Sequence, residues 1–327
     1  MTPKSVLIIQ TAFIGDVILA TPIIEKLHQY YPDAAIDFLV RKGNESLLEG
    51  HPKLREVLIW QKKKQKYRHL FQLLREIRSR HYDVIINVHR FATSGFLTAR
   101  SGAKHKTGFD KNPFSFFYNK KISHQIGHDT HEVARNLRLV EHLTDSAFMR
   151  PALYPSKNDI DYVSNYKTRP YICIAPTSVW FTKQFPAEKW LELIHKLSEN
   201  YNIYLLGSPT DHLVCESIKT TAQHPYVHNL AGQLSLLQSA ALIRDAQMTY
   251  TNDSAPMHLA SAMNAPVVAV FCSTVPDFGF GPLSEVSHIA QTQQTLACRP
   301  CGLHGKKVCP EGHFDCAYTI EIVELCD

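Results

Sequence analysis

The stretch Asn252-Asp253-Ser254-Ala255-Pro256-Met257-His258 carries the densest set of groups able to do chemistry. It joins a β-rich run, Met248–Thr251, to a helix of small residues. A helix start offers free backbone N–H groups and the positive end of the helix dipole, which together bind phosphate. Ser254 can add a hydroxyl, and His258, one turn on, can face the same anion. The plainer readings are Asp253 as an N-cap and His258 as a packed helix histidine. Upstream, Ala175-Pro176-Thr177-Ser178 ends another apolar run, and Lys183 follows before Phe185-Pro186. Hydroxyls at a strand end with a lysine close behind suit a diphosphate, although an exposed loop lysine has the same appearance. Gly207-Ser208-Pro209-Thr210-Asp211 ends a further strand and can present Asp211 to a ribose hydroxyl or simply cap the next helix.

Near the N-terminus, Phe13-Ile14-Gly15-Asp16 links the first strand to the first helix. Asp16 is placed either to cap that helix or to act as a general base. With one glycine and no G-x-G-x-x-G, the loop is not a dinucleotide fingerprint. The basic run Lys62-Lys63-Lys64-Gln65-Lys66-Tyr67-Arg68 lies between Trp60 and Phe71. It reads as a solvated helix face or as a grip on acidic lipid head groups or acceptor phosphates through Lys62, Lys63, Lys64 and Arg68. Cys298-x2-Cys301-x7-Cys309-x6-Cys316, with His304 and His313 inside it, admits a structural zinc or plain packing. Asp159-Ile160-Asp161 spells the D-x-D of metal-dependent transferases, but it lies in an aperiodic stretch and is read as chance.

These loops need a frame that holds them at strand ends. Val6–Gln10, Ala35–Val40, Val57–Trp60 and Asp83–Val88 read as buried strands, with a helix from Asp16 to Tyr31 and a basic helix from Lys62 to Arg80 between them. The stretch from Arg150 to Arg169 lacks a period and carries Pro151 and Pro155. Alternation then restarts with strands at Tyr171–Ala175, Ile203–Leu206, Met248–Thr251 and Val267–Phe271, separated by helices. Continuous apolar strands are what a parallel sheet buried on both faces requires. The expectation is an α/β chain of two doubly wound domains, residues 1–158 and 159–327, with the ligand cleft at the strand C-terminal ends.

The chain has 327 residues, of which 44% are hydrophobic and 20% charged, an ordinary globular composition with room for two cores. A formal charge of +5 is too small for general nucleic-acid binding. Gln10, Gly15, Asp16 and Pro22 interrupt the apolar N-terminal stretch, so it reads neither as a signal peptide nor as a membrane span. The expected location is the cytoplasm.

Taken together, the chain resembles glycosyltransferase family 9, the lipopolysaccharide heptosyltransferases. The residues that carry the resemblance are Ile14-Gly15-Asp16-Val17 with Thr21-Pro22, Asp83–Asn87, Lys183 with Phe185-Pro186 and Trp190, Asn252-Asp253-Ser254 with Met257-His258, Ser273 with Pro276-Asp277, and the cysteine-rich tail. The resemblance implies a GT-B fold, two Rossmann-like domains facing a central cleft, and inverting, metal-independent transfer of a heptose from ADP-heptose to a lipopolysaccharide core or lipid A-type acceptor. It implies an acceptor-binding first domain and a nucleotide-sugar-binding second domain, with no cofactor required and peripheral contact with the inner face of the inner membrane. Asp16 becomes the base and Lys183 the group that stabilises the leaving diphosphate. Thr177, Ser178, Asp253, Ser254, Ala255 and His258 become donor contacts, with Asp211 at the ribose and Leu234 at the adenine. Ala255 stands where the family usually has glycine. The rival readings are a related transferase or epimerase using another nucleotide sugar, a non-catalytic glycan-assembly protein, and a zinc or redox module built on the tail.

Overall fold

The computed structural model describes residues 2–62, 66–127 and 130–325. The chain divides into two compact units, one ending at Tyr154 and the other starting at Pro155. The N-terminal unit runs β1 (Ser5–Ile9), α1 (Ile14–Ile18), α2 (Thr21–Tyr30), β2 (Ala35–Arg41), β3 (Glu56–Trp60), α3 (Lys66–Ser79), β4 (Val84–Asn87), α4 (Ala92–Arg100), β5 (His105–Phe109), β6 (Lys120–Ile122) and α5 (Glu132–Leu137). The C-terminal unit follows with α6 (Lys157–Val163), β7 (Tyr171–Ala175), α7 (Ala187–Lys196), β8 (Asn202–Leu205), α8 (His212–Ala222), β9 (Val227–Asn229), α9 (Leu236–Arg244), β10 (Met248–Asn252), α10 (Ala255–Met263), β11 (Val267–Phe271), β12 (Ser287–Gln291) and α11 (Asp315–Tyr318).

Each unit is built on a six-stranded sheet whose strands all pair in parallel. The orders are β3-β2-β1-β4-β5-β6 and β12-β11-β10-β7-β8-β9. Counted within its own unit, each is the doubly wound order 3-2-1-4-5-6, and the chain reverses direction across the sheet between β1 and β4 and between β7 and β10. That switch leaves a crevice beyond the strand ends, where such sheets bind ligands. The central strands are sealed on both faces: Val6 to Ile9 and Ile174 are fully buried, as the apolar runs require.

Three local expectations change. The single helix foreseen from Asp16 to Tyr31 is two helices, α1 and α2. Pro22 has no N–H to return to Ile18, and the Thr21 hydroxyl donates to the Ile18 carbonyl instead, at 2.8 Å. The aperiodic stretch contains α6, started by a capping box in which Ser156 and Asp159 bond each other's backbone N–H. Asp159 of the D-x-D is thus occupied as a cap. Several short strands were not foreseen; β6, with two exposed lysines, has the polar surface of an edge strand.

A buried carboxylate ties β2 to the segments that enter β3 and that join α3 to β4. Asp37, fully buried on β2, accepts from Arg55 Nε at 2.9 Å and Nη2 at 2.5 Å, from Arg80 Nη1 at 3.3 Å, and from the Tyr82 hydroxyl. Removing one partner of a buried charge network leaves the others uncompensated. Asp37→Leu is expected to lose ~2–4 kcal/mol in urea unfolding, discounted from the full buried-pair value because both arginines reach solvent. A loss below ~1 kcal/mol would contradict that account.

Candidate active site

In the C-terminal unit, the sequence-predicted residues gather at the switch point. β7 ends at Ala175 beside Thr251 of β10, so Thr177, Ser178 and Lys183 on one loop and Asp253, Ser254 and Ala255 on the other leave neighbouring strand ends. Asn252, fully buried, fastens the two: its Oδ1 accepts from the Phe185 N–H at 2.8 Å. Lys183 Nζ then meets Asp253 Oδ2 at 2.5 Å. The same Asp253 oxygen accepts from the Thr274 hydroxyl at 2.7 Å. Asp253 is therefore not the cap of α10; Ser254 holds that position, and the Asp253 carboxylate is turned to the lysine instead. Ala255 is the first helical residue and Pro256 the second, where proline costs no helical hydrogen bond. His258 lies one turn into α10 and is 6% exposed. Thr177 and Ser178 are half-buried on the β7 loop, and Gln184 Nε2 donates to the Ser178 carbonyl at 2.6 Å.

Two donor-site candidates are occupied more modestly. The Asp211 carboxylate accepts from the Ser208 N–H at 2.7 Å and from the Ser208 hydroxyl at 2.5 Å, so it performs the capping role. Leu234 is half-buried in the turn before α9.

In the N-terminal unit, Asp16 is the third residue of α1, reached by the loop of residues 10–13 that leaves β1. Its Oδ2 accepts from the Phe13 N–H at 3.0 Å, which is half of a capping arrangement. Burial pushes the Asp16 carboxyl up to about 6; the Phe13 N–H and the Arg90 guanidinium oppose this, and the Glu132 carboxylate adds to it. A group titrating there is ionised at neutral pH yet basic enough to accept a proton, the property a general base needs. The loop is pinned from three sides: Asn44 Nδ2 donates to the Ala12 carbonyl at 3.0 Å, Lys62 Nζ to the Thr11 carbonyl at 2.6 Å, and Arg41 lies 4.6 Å above the Phe13 ring. Lys62 also stands 4.7 Å over the Trp60 ring, so one member of the basic run supports the Asp16 loop. Arg68 is exposed on α3, and Lys63 and Lys64 lie outside the described residues.

The residues after β4 were not foreseen, although they follow an apolar strand just as Asp16 does. His89 Nδ1 lies 3.2 Å from the Thr11 hydroxyl. Burial, with Lys62 and Arg90 nearby, lowers His89 to about 3, so its ring is neutral. Arg90 Nη1 is 3.4 Å from His124 Nδ1, and Arg90, Phe91, Lys111, His124, Gln125 and Ile126 line a cavity of about 580 Å³. Beyond it, burial would raise Glu132, but His124 and Arg135 together hold it below the usual carboxylate range; Arg135 Nε donates to it at 2.6 Å.

Among the described residues the tail thiols are neighbours without forming a ligand shell. Cys301 Sγ–H donates to the Cys298 carbonyl at 3.3 Å. Burial, with the other tail thiols nearby, pushes the Cys316 thiol up to about 12. Among the described residues no three His, Cys, Asp or Glu side chains are gathered closely enough to hold a metal ion. Cys173, Cys215 and Cys272 are fully buried, as their apolar surroundings implied.

Residues 70–311 match glycosyltransferase family 9 (heptosyltransferase). A lipopolysaccharide heptosyltransferase 3 of Escherichia coli is 29% identical over 279 residues, covering 80% of this chain and 82% of that protein. A lipopolysaccharide heptosyltransferase 2 of E. coli K12 is 25% identical, covering 87% of each. Among solved structures, E. coli ADP-heptose LPS heptosyltransferase II superposes with a TM-score of 0.77 at 23% identity, over 99% of this chain and all of that one. The E. coli heptosyltransferase WaaC with ADP-2-deoxy-2-fluoro heptose gives 0.73 at 21% identity, over 88% and 93%. The shared fold is GT-B, and the family match takes in the last three strands of the first sheet, the whole second sheet and the loops after β7 and β10: the chain is a glycosyltransferase belonging to family 9, the heptosyltransferase family.

Proposed function

We propose that the enzyme transfers a heptose from ADP-heptose to a lipopolysaccharide core or lipid A-type acceptor, with inversion at the anomeric carbon. The observation that carries this reading is the Lys183–Asp253 pair, 2.5 Å apart beside the start of α10 at the switch point of the C-terminal unit. The names of the relatives, which are lipopolysaccharide heptosyltransferases, support the sugar and the acceptor. Lys183, Thr177, Ser178 and the α10 start, with Asp253, Ser254, Ala255 and His258, receive the diphosphate and the sugar; Asp211 and Leu234 flank the nucleoside. The acceptor enters the N-terminal unit, and its phosphates meet Lys62, Lys63, Lys64 and Arg68, which also bring the enzyme to the anionic inner face of the membrane by peripheral contact. No helix among the described residues is long and apolar enough to cross a membrane.

Asp16 removes the proton of the acceptor hydroxyl as its oxygen attacks the anomeric carbon. The bond from that carbon to the diphosphate oxygen breaks, and ADP leaves with the electron pair. Charge develops on the departing oxygen, and Lys183 with the positive dipole end of α10 stabilises it. No step requires a bound metal ion.

The test is a panel of ADP-, UDP- and GDP-sugars with and without a lipid A-core acceptor, measuring released nucleoside diphosphate. Acceptor-dependent release of ADP from ADP-heptose is expected. Release that ignores the acceptor would indicate hydrolysis, and conversion of a donor to its epimer would favour the epimerase reading.

A further inference from the structure

The C-terminal tail is so far without a role, yet it lies directly against Lys183. Thr182, 1% exposed, is the point of attachment. Its N–H donates to the Lys306 carbonyl at 3.1 Å, and its carbonyl accepts from the Ser273 N–H at 3.2 Å. Its hydroxyl oxygen accepts from the Ser273 hydroxyl at 2.9 Å and from the Lys306 N–H at 2.8 Å, filling both lone pairs.

The tail is brought there by its own anchors. Arg299 donates from Nε to the Cys272 carbonyl at 2.7 Å and from Nη2 to the Thr274 carbonyl at 2.9 Å. The Cys301 N–H donates to the Ser273 carbonyl at 2.9 Å. Gly305 then crosses the aliphatic stem of Lys183 so closely that a Cβ on it would stand 2.9 Å from Lys183 Cγ and 3.0 Å from Thr182 Oγ1, and its φ is +75°. A side chain would both clash and strain the backbone there.

A lysine stem has several free rotors, and an ammonium that must meet a developing charge works best when those rotors are already set. Here Gly305 confines the stem, Thr182 fixes the backbone behind it, and Asp253 holds the tip. We propose that Thr182 is a positioning residue that sets Lys183 for the departing diphosphate, and that the tail loop from Arg299 to Lys306 is part of the donor site. This rests on the reading of Lys183 given under Proposed function.

The test compares Thr182→Val, which keeps the shape and loses the hydroxyl, with Thr182→Ser, which keeps the hydroxyl. Turnover of ADP-heptose and the Kd for ADP are measured on the full chain, with melting curves to establish the folded fraction. Thr182→Val is expected to lower kcat by about tenfold or more while the Kd for ADP moves by less than about threefold, and Thr182→Ser is expected to recover most of the rate. Should Thr182→Val fold poorly, Ser273→Ala, which removes the hydroxyl that donates to Thr182 and leaves its backbone bonds in place, is read instead, with the same expected split. A wild-type kcat in the valine variant overturns the proposal, as does a serine variant no better than valine. Lys183→Ala in the same assay separates the two levels. A slow Lys183→Ala beside a normal Thr182→Val removes only the positioning role, whereas a Lys183→Ala enzyme with normal turnover removes the donor-site reading itself.

Discussion

Asp16→Asn is expected to lower kcat by ~10²–10⁴ with ADP affinity close to that of the unaltered enzyme, because the amide accepts the Phe13 N–H but cannot take a proton from a sugar hydroxyl. Two further readouts separate a base from a cap. With the Asp16 carboxyl at about 6, kcat/KM of the unaltered enzyme should fall with unit slope below that pH. His89, held neutral at about 3, does not titrate in the same range. Stability should move the opposite way to rate. A carboxyl whose pKa is higher in the fold than in the unfolded chain binds its proton more tightly when folded, so the fold loses stability as pH rises from about 4 to about 6. Asparagine escapes that loss. The variant should therefore be more stable than the parent at pH 8, by ~1–3 kcal/mol, and the two should converge below pH 4. An Asp16→Asn enzyme that turns over normally, or that melts lower at pH 8, would mean that Asp16 serves its helix and nothing else.

Lys183→Ala should reduce both turnover and nucleotide affinity. It removes the cation proposed to face the departing diphosphate, and the loss of one oxyanion-hole donor costs ~10²–10³ in kcat. It also strips Asp253 of its ion-pair partner, leaving a buried carboxylate with the Thr274 hydroxyl and a charge that repels the incoming phosphates. The second effect has its own signature. Adding Asp253→Asn to Lys183→Ala should restore part of the ADP affinity without restoring kcat. Calorimetric titration of ADP into both variants checks it; an additive further loss in the double variant would mean that Asp253 contacts the donor independently of Lys183.

The doubly wound frame was legible because its central strands are unbroken apolar runs, Val6–Gln10 and Tyr171–Ala175, which only a sheet covered on both faces accommodates. Strands such as β6 were not legible, since a three-residue edge with two lysines carries no period. Asp16, Lys183 and Asp253 could each be read as groups at strand ends, but the pairing of Lys183 with Asp253 could not. Asp253 could be foreseen as a cap, and only the fold shows the carboxylate turned to Lys183. His89 and Arg90 obeyed the same strand-end rule, so the signal for them was present in the sequence. Thr182 had none: its hydroxyl partners are 91 and 124 residues away, and no spacing rule reaches that far.

The Lys183–Asp253 contact also bears on which ions the enzyme ignores. A lysine that already holds a carboxylate offers a monovalent competitor, chloride or acetate, little that it does not have. An incoming diphosphate brings more charge and several oxygens, and the positive dipole end of α10 attracts it at the same time. With Lys183 in its proposed role the ion pair would discriminate by valence, and inhibition by simple salts should reflect general screening rather than occupation of the site.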